Sequence, residues 1–281
     1  MTILVTGGNG QLGCSLRLAT AESQNRYIFT DIEELDIASA MAVEEFFERE
    51  KVDVVVNCAA YTAVDLAEEE EPIADITNCY AVAVLAEACK RYNATLIHIS
   101  TDYVFSGEAT TPYNEECAPA PINVYGRTKL AGEKAVAESG CKSIILRTSW
   151  LYSEFGRNFC KTMQSLTDTR PEIKVVADQI GTPTYAGDLA AAITYIIDSN
   201  KLDKCGTYHY SNEGVCSWYD FACEIARLSG NNECEIKPCT TAEYPTKAQR
   251  PRYSVLDKSK FVETFGLQIP EWKESLKRMI K

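Results

Sequence analysis

The apolar run ILVT (3–6) breaks straight into four glycines, Gly7, Gly8, Gly10 and Gly13. So little side chain, so early, means that the backbone turns tightly there or that something comes very close to it. The spacing Gly7-x-x-Gly10-x-x-Gly13, after a strand and opening a helix, is the context in which such glycines cradle a dinucleotide. The first permits the tight turn, the second lets a pyrophosphate approach the main chain, and the third lets helix and strand pack closely. The helix N-terminus adds free N–H groups and the positive end of its dipole. An acid is then due at the end of the second strand, where it takes the adenine-ribose hydroxyls. Asp31 ends the run YIFTD, 18 residues beyond Gly13. A carboxylate there favours NADH and repels a 2′-phosphate, and the stretch DIEEL (31–35) brings no Arg or Lys to hold one.

The rest of the first half alternates. Strand-like runs at 3–6, 27–31, 52–60, 95–101 and 142–148 are separated by helix-like stretches such as LGCSLRLATAES, SAMAVEEFFEREK and NCYAVAVLAEACKRYN. The strands are near-continuous runs rich in Val and Ile, as expected where a parallel sheet is covered on both faces. The pattern predicts an α/β fold, a doubly wound parallel sheet of the Rossmann type. Past Trp150 the pattern changes to a smaller, mixed α/β C-terminal part. It contains an amphipathic helix at 188–200, another at 217–230 with Ser217 as N-cap and Gly230 as its stop, and a helix after Pro270. The expected organisation is a dinucleotide-binding domain over 1–152, to which 186–204 returns, and a mainly substrate-binding domain over 153–281.

The totals exclude several classes. A net charge of −12 argues against nucleic acid or an anionic membrane surface as a partner. It also means that a phosphate-bearing ligand would have to be held by local donors against an unfavourable overall field. No apolar run approaches the roughly 18 residues of a membrane span, and the first strand lacks the basic flank and length of a signal peptide. The 12 cysteines include no C-x-x-C pair, so they read as reduced, mostly buried small hydrophobes, which implies a cytoplasmic home.

The stretch INVYGRTKLAGEKAV carries Tyr125-x-x-x-Lys129, which puts both side chains on one helix face just beyond the fourth strand. Chance produces such a spacing easily, so position carries the reading: ligand crevices open beyond the carboxyl ends of the strands. Reducing a ketone needs a hydride from a nicotinamide and a proton for the developing alkoxide. A free tyrosine has a pKa of about 10, and a neighbouring ammonium is expected to lower it. A third group should hydrogen-bond the carbonyl oxygen; Ser100 and Thr101 in HISTDYVFSG are placed for that, or for capping the strand end. His98 alternates inside the same strand and reads as packed rather than catalytic. His98 and His209 are the only histidines.

TGGNGQLG, Asp31, STDYVF and YGRTK together resemble the extended short-chain dehydrogenase/reductases. NCAAYTAVDLAE, STDYVFSG, PINVYGRTKLAGE, RTSWLY, NFCKTM, DQIGTPT and QRPRYSVLD, in that order, resemble the dTDP-4-dehydrorhamnose reductase family over nearly the whole chain. The resemblance implies reduction of the C4 ketone of a dTDP-linked 4-keto-6-deoxy sugar by NADPH or NADH. It implies Tyr125 as proton donor, Lys129 as its partner and Thr101 as the hydroxyl on the substrate carbonyl, with Asp102 close to the sugar. Gly10, Gln11 and Leu12 would meet the pyrophosphate, Asp31, Asp36 and Ile37 the adenosine, and Ala60, Tyr61 and Thr62 the cofactor after the third strand. Val64, Asp65 and Trp150 would meet the substrate.

The family often carries His where this chain has Tyr61. Some relatives join two subunits through Mg²⁺; the residues for that are not placed here, so no metal is expected and a homodimer is left open. Arg250 and Arg252 lie where a grip on the substrate diphosphate makes sense, with Arg157, Asn158 and Lys161 as further candidates. A 4,6-dehydratase would need a second carboxylate after the threonine, whereas Thr101 is followed by Asp102 and then Tyr103. A 4-epimerase, which keeps the same Tyr, Lys and hydroxyl, and a non-catalytic subunit like the β subunit of methionine adenosyltransferase stay open as alternatives.

Overall fold

The computed structural model describes all 281 residues. Its centre is a parallel sheet of six strands. Five come early: β1 (Thr2–Thr6), β2 (Arg26–Thr30), β3 (Val54–Asn57), β4 (Thr95–Thr101) and β5 (Lys142–Thr148). The sixth, Gly206–His209, arrives much later. They lie in the order sixth, β5, β4, β3, β1, β2, each pair parallel. This is the doubly wound α/β fold that the alternation predicts. Because β2 lies on one side of β1 and β3 on the other, the winding reverses between β1 and β3, and a crevice opens beyond their carboxyl ends.

Both faces of the sheet are covered, which is why its strands read as continuous apolar runs. One face packs the glycine helix Gln11–Ala19 and the helix Ala186–Asp198 around Val5, Ile97, Leu146, Ile193 and Ile197. The other packs the helices Ala40–Glu50 and Ala81–Tyr92 around Phe47, Val55, Leu85 and Leu96. The sheet takes up more of the late chain than 186–204. Gly206–His209 extends its edge beside β5, and Phe261 and Phe265 pack against Tyr208 in the same core.

The remaining late segments have their own core around Tyr152, Phe221, Ile225, Trp272 and Leu276. Glu172–Val176 pairs there with Glu235–Cys239, and the helix Trp218–Ser229 packs on them. That helix starts and stops as expected. The Ser217 hydroxyl accepts from the Asp220 N–H while Asp220 reaches back to Ser217, and Gly230 ends it at φ +77°. All twelve cysteines are unpaired. No helix is long and apolar enough to cross a membrane.

One departure from the expected elements bears on the site. Between Glu71–Asp75 and Ala81–Tyr92 the helix widens into a π-turn, Ile76–Tyr80, where the sequence predicts ordinary helix from Asn78 onward. Such turns concentrate at functional sites. Here it buries Asn78 so that its amide bonds both main-chain groups of Tyr61 and the Thr128 hydroxyl on the helix Val124–Ser139. Gly132 permits the close approach, since a Cβ there would lie 2.2 Å from the Asn78 carbonyl oxygen. Gly132→Ala must therefore push this helix off the π-turn. A loss of about 1–3 kcal/mol in urea unfolding is expected, the usual range for overpacking; an unchanged midpoint would show that the contact relaxes freely.

Candidate active site

Gly7 sits at φ +63°, and a Cβ there would lie 2.7 Å from the Ala59 nitrogen at the end of β3. Only glycine takes this turn at no steric cost. At Gly13 a Cβ would lie 2.4 Å from the Gly7 carbonyl oxygen, so the first and third glycines close the helix onto the sheet. Gly10 is the N-cap, without a side-chain cap and with no acid in the following turn. The first N–H groups of the helix are therefore left for an external anion.

Asp31 accepts from Asn9 N at 3.1 Å and from Ile32 N at 2.9 Å, which fixes its carboxylate beside the glycine turn. A cavity of about 510 Å³ opens there, lined by Asp31, Asp36, Ile37 and the π-turn residues Ile76 and Thr77, and by no Lys or Arg. It meets a second cleft of about 550 Å³ at Gly7, Gly10, Cys58 and Ala60. Two chambers joined at a phosphate cradle fit the two halves of a nicotinamide dinucleotide. Gln11, Leu12 and Thr62 line the second chamber. Tyr61 does not fit its expected place. Its ring packs by Ala67, Ala74 and Val124 and its hydroxyl donates to Glu70 at 2.7 Å, because Asn78 holds its main chain.

The second cleft also brings together Thr101, Asp102, Tyr125, Lys129, Val64, Trp150 and Arg250. Asn123 caps the tyrosine helix by accepting from Gly126 N at 2.7 Å, and its amide donates to the Gln249 carbonyl at 2.8 Å. Tyr125 and Lys129 follow one turn apart. Thr101, at the end of β4, donates to Asp102 Oδ1 at 3.0 Å and accepts from Tyr103 N at 3.2 Å. It is both cleft wall and cap. Lys129 Nζ donates to the Ile99 carbonyl at 2.7 Å. Burial pulls its ammonium down to about 8, with Glu133 opposing.

The expected depression of Tyr125 by Lys129 is not found. Burial pushes the phenol above its usual value and contact with Thr101 only partly offsets it, while Lys129 is turned to the Ile99 carbonyl. A tyrosine that keeps its proton at neutral pH is a proton donor, which suits quenching of an alkoxide. Asp102 is 1% exposed, its Oδ2 has no protein partner, and burial raises its carboxyl to about 7. His98 is packed, bonding Asn57 at 3.1 Å, and burial holds it neutral.

The arginines need correction. Arg250 lines the cleft, but its guanidinium is engaged by Asp65 at 2.6 Å and by the Tyr103 hydroxyl at 3.1 Å, so it arrives paired rather than as a free cation. Asp65 itself lines an adjoining cavity of about 430 Å³ together with Arg250. Arg252 is exposed outside these cavities, and Lys161 turns to the Glu154 carbonyl. Arg157 and Asn158 line the cleft, and Asn158 bonds the Gln11 side chain at 3.0 Å across the two units. Phe159 and Trp218, missed in the sequence, complete the far wall; Trp218 stacks on Trp150 with centroids 3.6 Å apart. Trp218 lies on an amphipathic helix that gives no local sign of reaching a ligand.

The profile of the family described as RmlD substrate binding domain matches residues 1–281. The dTDP-4-dehydrorhamnose reductase of Aggregatibacter actinomycetemcomitans is 42% identical, covering 99% of this chain and 97% of its own. A crystal structure of a dTDP-4-dehydrorhamnose reductase from Clostridium acetobutylicum superposes with a TM-score of 0.96 at 46% identity, over 100% of this chain and 98% of its own. The Bacillus anthracis dTDP-4-dehydrorhamnose reductase, solved in complex with NADP, gives 0.94 at 41% identity, over 99% and 98%.

The buried carboxyl of Asp102 makes a stability prediction. Its folded value of about 7 lies above its ordinary 3.8, so the folded state is favoured while the group is protonated and loses that advantage as pH rises through 7. Asp102→Asn removes this penalty. The stability gap between variant and parent should widen in the variant's favour from pH 5 to pH 8, by roughly 2.5 kcal/mol. Thermal melts across that range check it, and a flat difference would place the Asp102 carboxyl at an ordinary value.

Proposed function

The chain belongs to the RmlD family of dTDP-4-dehydrorhamnose reductases, and from that premise we propose that it reduces the C4 ketone of dTDP-4-dehydro-L-rhamnose to dTDP-L-rhamnose, a step of dTDP-rhamnose biosynthesis. The observation that carries this is the meeting of Thr101, Asp102, Tyr125 and Lys129 at one end of a cleft whose other end is the glycine cradle.

A bound reduced nicotinamide supplies the hydride. The main chain at Gly7, Gly10, Gln11 and Leu12, with Gly13 behind them, holds the pyrophosphate, and Asp31, Asp36 and Ile37 hold the adenosine. Ala60 and Thr62 line the path between. The Thr101 hydroxyl, whose one proton rests on Asp102, would turn to donate to the substrate carbonyl oxygen and polarise it. Tyr125 gives its proton to that oxygen as negative charge develops there. The Lys129 ammonium, one helix turn from Tyr125 and held on the Ile99 carbonyl, would hold the nicotinamide ribose. Val64, Asp102 and Trp150 orient the sugar, while Asp65 and Arg250 meet its diphosphate-bearing side as a pair. The adenosine chamber, with two carboxylates and no cation, suits NADH better than NADPH.

Loss of reduced-nicotinamide absorbance with dTDP-4-dehydro-L-rhamnose generated in situ tests the reading. Oxidation should require the keto sugar, with a lower KM for NADH than for NADPH; no oxidation by folded, cofactor-binding protein would move the function to an epimerase or a regulatory subunit. Tyr125→Phe should lose on the order of 10²–10⁴ in kcat while cofactor binding is kept, and near-normal turnover would remove Tyr125 from the mechanism. Because Lys129 must stay charged, kcat should fall as pH rises through about 8. A plateau extending well beyond that would show that the ammonium is not needed or not depressed.

A further inference from the structure

The run DQIGTPT (178–184) contributes no group to the chemistry above, yet it is bonded on every side to the walls of the cleft. Ile180 N donates to the Arg252 carbonyl at 2.8 Å, and Ser254 N donates to the Ile180 carbonyl at 2.8 Å. The Ser149 hydroxyl donates to the Thr182 carbonyl at 2.7 Å, and Thr184 N donates to the Trp150 carbonyl at 3.2 Å. Ile180 and Gly181 pair with Ser217 and Cys216, immediately before Trp218. The run therefore sets both tryptophans of the cleft at once.

Trp150 has φ +49°, a left-handed backbone at a bulky residue. Such a conformation persists only where its surroundings over-determine it, and it concentrates at functional sites. The bonds from Ser149 and Trp150 to Thr182 and Thr184 are that constraint. Its indole is held as firmly: it stacks on Trp218 at 3.6 Å between centroids and 11° between planes, and Phe159 lies against Trp218 at 4.5 Å. At Gly181 an added Cβ would lie 2.6 Å from Trp150 Cζ2, 2.7 Å from Cε2 and 3.0 Å from Ser254 Oγ. Gly181 is not among the glycines at positive φ. What the fold uses at 181 is the missing Cβ, not conformational freedom.

We propose that Gly181 is a positioning residue for the sugar: the space left by its absent side chain is where the Trp150 indole is seated, as the aromatic wall of the cleft that Thr101, Asp102 and Tyr125 also line. An aromatic face at that place suits the C–H-bearing face of a deoxyhexose ring. This rests on the reading above that Trp150 meets the sugar, and the test separates the two.

The kinetics of Gly181→Ala, Trp150→Phe and the double variant are measured beside cofactor affinity and tryptophan emission. Gly181→Ala should raise KM for the keto sugar about tenfold, as sub-ångström to ångström displacement of a binding group does, shift tryptophan emission, and leave the Kd for NADH unchanged. In the Trp150→Phe background, where the indole atoms that meet the new Cβ are gone, adding Gly181→Ala should change KM about twofold at most. An unchanged KM in Gly181→Ala, or the same rise with and without the indole, overturns the positioning role. A Trp150→Ala variant measured alongside removes the aromatic face altogether; if it leaves KM unchanged, Trp150 does not meet the sugar, and the proposal falls while the reductase reading stands. Should Gly181→Ala fail to fold, recovery of soluble protein in the double variant supports the seat and continued failure overturns it.

Discussion

Arg147 on β5 and Glu133 on the tyrosine helix meet at 2.6 Å with only 6% of either side chain exposed, and the Ser100 hydroxyl of β4 donates to the same carboxylate. Charges taken this far from water are tolerated only when paired and hydrogen-bonded throughout. Two guanidinium nitrogens, Nε and Nη2, each reach a different oxygen of Glu133, which fixes direction as well as distance. This bond pins one helix across two neighbouring strands. Lys129 lies one turn before Glu133, with its ammonium on the Ile99 carbonyl, and Tyr125 one turn before that. The register of Tyr125 and Lys129 is therefore set by an ion pair, Arg147–Glu133, that is not part of the cleft lining. The network continues to the sheet edge, where His209 of the sixth strand comes within 3.5 Å of Arg147. Burial and that guanidinium push His209 down to about 3, so no second charge competes.

The legible parts of this protein are those whose reason is local. The glycine spacing, Asp31 and the Ser217–Gly230 boundaries each state a backbone need within a few residues, and the early strands announce two-sided burial by their own composition. Gly206–His209 was hidden because four residues, GTYH, at a sheet edge carry no period, and only pairing with β5 makes them a strand. The π-turn was hidden because its cause is distant: Asn78 is satisfied by Tyr61 and Thr128, and Gly132 makes the room. The same cause turned Tyr61 from the cleft. Glu133, Arg147 and Trp218 were invisible as site-forming residues for the same reason, since their partners are set by topology rather than by spacing. The Tyr125–Lys129 pair was read correctly as a shared face, but spacing gives no direction for a long side chain, and the Ile99 carbonyl decides where the ammonium goes.

The contrast between helix starts resolves how a chain of net charge −12 can be built around phosphates. Ser39, Asn123, Asn158 and Ser217 each cap a helix with their own side chains. The glycine helix has no such cap and no acid in its first turn. Its N-terminal donors have no side-chain partner, and they lie in a site walled by protein where a hydrogen bond is worth more than in water. The acidic surface acts over distance, and physiological salt screens it within about 8 Å. An anion reaching the turn thus meets short-range dipoles at full strength and the overall field only weakly. At the adenosine end the same logic runs in reverse. Asp31 is held by Asn9 and Ile32 against the turn itself, too close for screening, so on the proposed reading local carboxylates would select against extra phosphate there while local amides would accept the pyrophosphate a few residues away.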